Sequence, residues 1–86
     1  MTNKQSINVL LVDDDPSILE ILADMMTMFG YKSDTAKNGM EAIEKLKHDS
    51  YQIVLTDMKM HGMSGMDLLK HISSKYPRIK VMVVTG

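Results

Sequence analysis

Eighty-six residues suffice for one domain with a modest core, since surface scaling at that size leaves roughly 64% of the unfolded chain's area to bury. Ten Lys and Arg against eleven Asp and Glu give a net charge of −1, too little positive field to hold a nucleic-acid backbone. The absence of cysteine excludes disulfide scaffolds, cysteine-ligated zinc and thiol nucleophiles, and every apolar run is far shorter than the roughly 20 residues of a membrane span. Met1 to Ser6 is polar, without the apolar stretch of a signal peptide. The expectation is a soluble, cytoplasmic domain that binds neither nucleic acid nor membrane.

Ile7–Val12 is an almost unbroken run of branched apolar residues, as in a strand covered on both faces. It stops at Asp13-Asp14-Asp15-Pro16, where Asp15 can cap a helix that has proline in its first position. Apolar residues at 18, 19, 21, 22, 25, 26 and 29 then trace a helical stripe that closes at Gly30. Lys32–Ala36 reads as a short polar strand suited to a sheet edge. Asn38 and Glu41 form a cap pair for a helix that turns Ala42, Ile43 and Leu46 inward.

Ile53–Thr56 is a second buried strand and ends on Asp57; a loop rich in Gly and Met follows. Ser64-x-x-Asp67 opens a third helix with Leu68, Leu69 and Ile72 on one face, and Pro77 lies just past its end. Ile79–Val84 is a further apolar strand, followed by Thr85 and Gly86. Met25, Met26 and Met82 are assigned to the core, and His48 and His71 to solvated positions near helix ends. The order β-α-β-α-β-α-β implies an α/β fold with a mostly parallel sheet and right-handed crossovers.

In such a sheet, ligands sit beyond the carboxyl ends of the strands, where Asp13, Asp14 and Asp57 fall. If their strands are neighbours, about 4.8 Å apart, these carboxylates crowd one pocket and raise one another's pKa unless a cation neutralises them. Hard oxygen donors with space for water and phosphate suit Mg²⁺. Thr85 would add a hydroxyl over the same pocket, and a reachable carboxylate beside Mg²⁺ can accept a phosphoryl group.

The segments VLLVDDDPSIL, NGMEAIEKL, IVLTDMKMHGMSGMDLL and KVMVVTG, in this order and spacing, resemble the receiver domain of bacterial two-component response regulators. The resemblance extends over nearly the whole chain and makes 1–86 one receiver domain. It implies a flavodoxin-like fold with sheet order 2-1-3-4(-5). It implies that Asp57 takes a phosphoryl group from the phosphohistidine of a sensor histidine kinase or phosphotransfer protein. The implied Mg²⁺ ligands are Asp14, Asp57 and the backbone carbonyl of Lys59, with Asp13 acting through water and Thr85 bonding a phosphoryl oxygen. Such a domain is a phospho-acceptor rather than an enzyme in its own right. Two departures stand out. His61 occupies the position of the family's usual proline, which frees that loop. On the family pattern, a fourth helix, a fifth strand with its lysine and aromatic switch residue, and a fifth helix would follow Gly86, so truncation and weak switching are expected.

Other readings compete. Asp13-x-Asp15-x-Ser17 after a strand mimics haloacid-dehalogenase-like phosphotransferases, with Asp13 as nucleophile and Asp15 as acid. Met58, Met60, His61, Met63 and Met66 look like soft Cu(I) ligands, although loop methionines usually pack. The last apolar strand could instead drive assembly of a non-catalytic module, by homodimerisation or exchange of elements.

Overall fold

The structure is a computed structural model that describes residues 7–60 and 62–84. Its elements are β1 (Asn8–Val12), α1 (Pro16–Met28), β2 (Lys32–Ala36), α2 (Gly39–His48), β3 (Ile53–Asp57), α3 (Gly65–Lys75) and β4 (Lys80–Val84). The four strands form one sheet in the order β2-β1-β3-β4, with every pairing parallel. The expected flavodoxin-like order 2-1-3-4 is therefore present.

The alternation of side chains along β1 divides the core into two layers. Leu10 and Val12 point into a cluster with Val54, Ala42, Leu46, Leu68 and Ile72, which seats α2 and α3 on one face. Val9 and Leu11 point the other way, against Leu19, Leu22 and Met26 of α1. A strand buried on both faces has no polar alternation to keep, so residues 9–12 are all apolar. Each fully buried Leu or Ile here adds about 1.5–3 kcal/mol relative to exposure.

The helix starts follow the sequence closely. Asp15 caps α1 by accepting from the Ser17 N–H at 2.9 Å, with Pro16 in the first turn. Asn38 caps α2 by accepting from the Glu41 N–H at 2.7 Å. Ser64 and Asp67 form a reciprocal capping box at α3, each side chain accepting from the other's N–H. Beyond α1, Phe29 closes the helix and Gly30 takes φ +84°, a left-handed conformation that glycine reaches without a Cβ penalty.

Three expectations need correction. The apolar stripe of α1 is wider than the surface it covers: Ile18, Ile21, Met25 and Phe29 are exposed. Met25 and Met82 are not core residues, although Met26 does pack against the α1-side cluster. The cause is the placement of α1 over β1 and β2, which covers the same face of β3 only partly and leaves that of β4 open, with Met82 53% and Val84 48% accessible. His71 is half-buried within α3 rather than solvated near its end. The strands also start slightly later than their apolar runs, at Asn8 rather than Ile7 and at Lys80 rather than Ile79. Among the described residues, no helix is long and apolar enough to cross a membrane.

Candidate functional site

The pairing register brings the acids together. β1 and β3 are neighbours, with Val12 opposite Thr56, so Asp13, just past β1, lies beside Asp57, the last residue of β3. The Asp13 N–H still bonds to the Ala36 carbonyl at 3.1 Å, and the Met58 N–H to the Val84 carbonyl at 3.1 Å, which anchors both ends to the next strand outward. Asp13 Oδ1 accepts from the Asp15 N–H at 2.9 Å, an Asx-type turn that holds the carboxylate at the sheet's rim.

Asp13, Asp14 and Asp57 each place a carboxylate oxygen within 4.8 Å of the others. Asp13 is buried, Asp57 half-buried and Asp14 exposed, so the trio runs from the sheet's end out to solvent. They line a cavity of about 390 Å³ whose apolar wall includes Ile18, Leu22, Leu55 and Val84. Burial pushes the Asp13 carboxyl above its ordinary value; the Asp15 N–H opposes this, and the charges of Asp57, Asp14 and Asp15 reinforce it. A carboxyl raised in the folded state is a pH-dependent penalty: absent below its unfolded pKa, complete above its folded one. Through Asp13, stability therefore falls as pH rises through that window.

The donor set suits a hard divalent cation. Carboxylate oxygens spaced closely enough to share one ion, and reaching from the sheet's end out to solvent where water ligands can join, match Mg²⁺ better than a soft metal. Lys59 comes two residues after Asp57 and is exposed. Thr85 and His61 lie outside the described residues. Asp15 stands apart in role, since its carboxylate caps α1, and this leaves the dehalogenase-like assignment of Asp15 as an acid without support.

Gly65 is a site residue that sequence reasoning missed. The Gly65 N–H bonds to the Met58 carbonyl at 2.9 Å and closes the segment after β3. A Cβ on Gly65 would lie 2.3 Å from the Asp57 carbonyl oxygen and 2.9 Å from Met58 Cα. Both obstacles are backbone, so a side chain there must move the strand end that carries Asp57. The available signal was a glycine directly after the helix cap, where other small residues would serve equally well unless another backbone passes close. Gly65→Ala is expected to cost about 3 kcal/mol, the upper end of overpacking effects, and to lower the thermal midpoint by roughly 15 °C. A midpoint within about 3 °C of wild type in thermal unfolding would show that the contact is not tight.

The comparisons with known proteins agree with this geometry. The sequence profile of the response regulator receiver domain matches residues 9–86. The chain is 36% identical over 82 residues to the transcriptional regulatory protein ZraR of Klebsiella oxytoca, covering 95% of this chain and 18% of that protein. It is 40% identical over 78 residues to a CpxR homolog of Haemophilus influenzae, covering 91% of this chain and 34% of that protein. Among solved structures, it resembles the response regulator TrrA of Thermotoga maritima in complex with Mg²⁺ and BeF, with TM-score 0.88 and 37% identity over 92% of this chain and 69% of that one. A CheY-like receiver domain of Methanospirillum hungatei matches with TM-score 0.90 and 30% identity over 93% and 64% of the two chains. The protein belongs to the response regulator receiver domain family of two-component signal transduction. The chain spans only about a fifth to a third of the length of these two curated relatives.

Proposed function

We propose that the chain acts as one receiver unit over 1–86, with Asp57 accepting a phosphoryl group from the phosphohistidine of a sensor histidine kinase or phosphotransfer protein. The observation that carries this reading is the convergence of Asp13, Asp14 and Asp57 within 4.8 Å at the ends of two adjacent parallel strands. Asp14, Asp57 and the Lys59 carbonyl would hold Mg²⁺, with Asp13 acting through water. Bound Mg²⁺ supplies charge neutralisation for the incoming phosphoryl oxygens.

The residues of the chain do the rest. The Asp57 carboxylate attacks phosphorus; the new O–P bond forms as the P–N bond to the donor imidazole breaks, and the imidazole leaves with a proton. Asp57 is suited to this because it is half-buried rather than sealed, with an open cavity before it. Asp13 is held by the Asp15 N–H and stays in place to bind rather than to react. Thr85 would donate to a phosphoryl oxygen. The chain acts in the cytoplasm as a signalling domain, with no chemistry beyond gaining and losing its own phosphoryl group.

Incubation with acetyl phosphate tests this by intact mass and hydroxylamine sensitivity. One hydroxylamine-labile phosphoryl group per chain is expected with Mg²⁺, and none with a chelator present. Labelling that ignores the chelator would refute the cation-assisted reading.

A second reading draws on β4, the last strand of the sheet among the described residues. Val81–Val84 carries no charge, and Met82 and Val84 are exposed, so β4 can pair with a further strand from a second copy or from another segment.

A further inference from the structure

Met58, Met60, Met63 and Met66 lie in or beside the segment that joins β3 to α3, and the proposed phosphoryl chemistry uses none of their side chains. Met60 and Met63 are half-buried and pack against the α2–α3 side of the core. Met63 also reaches the start of α2. A Cβ on Gly39, the first residue of α2, would meet Met63 Sδ at 2.8 Å, its Cβ at 2.9 Å and its Cγ at 3.0 Å. The thioether thus fills the space that a side chain at Gly39 would take, and this contact fastens the segment after Asp57 to α2.

We propose that Met63 is a peroxide-sensitive latch between the β3–α3 segment and α2. Its partial exposure admits a small hydroperoxide, and its packing makes the product costly. The sulfur attacks one peroxide oxygen; the S–O bond forms as the O–O bond breaks, and the departing oxygen takes the transferred oxygen's proton and leaves as water. Sulfur loses the two electrons that the peroxide gains. The sulfoxide is larger and strongly polar, and the sulfur already fills the space where a side chain at Gly39 would begin, so an added oxygen disturbs the packing there. A side chain that turns outward to hydrate this oxygen gives up its contact beside Gly39 and uncouples Met63 from α2. Met28, at 82% exposure, and Met40, at 67%, serve as internal references, because their oxidation changes little packing.

The test uses the full chain without metal, so its outcome is separable from that of the phosphoryl-acceptor reading. Hydrogen peroxide is titrated, each methionine is followed by peptide mass spectrometry, and the thermal midpoint is read in parallel. Met28 and Met40 should oxidise first without moving the midpoint. As Met63 oxidises, the midpoint should fall by roughly 5 °C or more, and methionine sulfoxide reductases should restore it. Met63→Leu should keep its midpoint through the same treatment. A Met63 that stays reduced when Met60 is oxidised, or a fall that tracks any other methionine, overturns the proposal. Should Met63→Leu fail to fold, the residue-by-residue tracking in the wild-type chain decides alone.

Discussion

Asp57→Asn abolishes labelling by acetyl phosphate and leaves the thermal midpoint at or above that of the wild-type chain. The amide is nearly isosteric with the carboxylate, so the end of β3 and the Gly65 contact are preserved. What disappears is the anionic oxygen that forms the bond to phosphorus. Removing one of three crowded negative charges also relieves repulsion in the apo protein, hence the unchanged or raised midpoint. Asp13→Asn distinguishes the rival assignment. Under a dehalogenase-like mechanism the label would reside on Asp13, and Asp57→Asn would still be labelled. Residual labelling of Asp57→Asn at the wild-type level is therefore incompatible with the account.

Much of the fold was legible because local and long-range signals agree along this chain. The apolar run of β1 implies cover on both faces, and α1 on one side with α2 and α3 on the other supply it. Asp15, Asn38 and Ser64 sit where side-chain oxygens must replace missing helix partners, and each does so. Polar Lys32–Ala36 lies at the sheet's edge, as its composition implied.

The misreadings share one physical origin. Periodicity shows which face of a helix or strand is apolar, but not whether another element covers it. Ile21, Met25 and Met82 belong to apolar faces that remain partly open, so they read as core and are exposed. The carboxylate trio was visible because strand ends and acids coincide in sequence. Gly65 was not, since its constraint is an approach of the Asp57 backbone that only the folded chain creates. The Met63–Gly39 contact was hidden for the same reason: the two residues meet across separate elements.

The central claim is that Asp13, Asp14 and Asp57 share one divalent cation, and folding stability reports on it directly. A ligand that binds only the folded chain adds about 2.7 kcal/mol at a hundredfold excess over its Kd, enough to raise the midpoint of a domain this size by roughly 10 °C or more. The gain should be small at low pH, where Asp13, with its raised pKa, holds a proton, and should grow as pH rises through that window. Asp13→Asn removes the most buried charge of the trio while its side-chain oxygen can still accept from the Asp15 N–H. Its apo midpoint should therefore exceed that of the wild type at neutral pH, with a weakened response to Mg²⁺. The deciding measurement is a Mg²⁺ titration of the thermal midpoint at neutral pH, with wild type, Asp13→Asn and Asp57→Asn side by side. A saturable rise in the wild type that shrinks or vanishes in both variants is the predicted result. Equal rises in all three, or none in the wild type, would contradict a shared cation site.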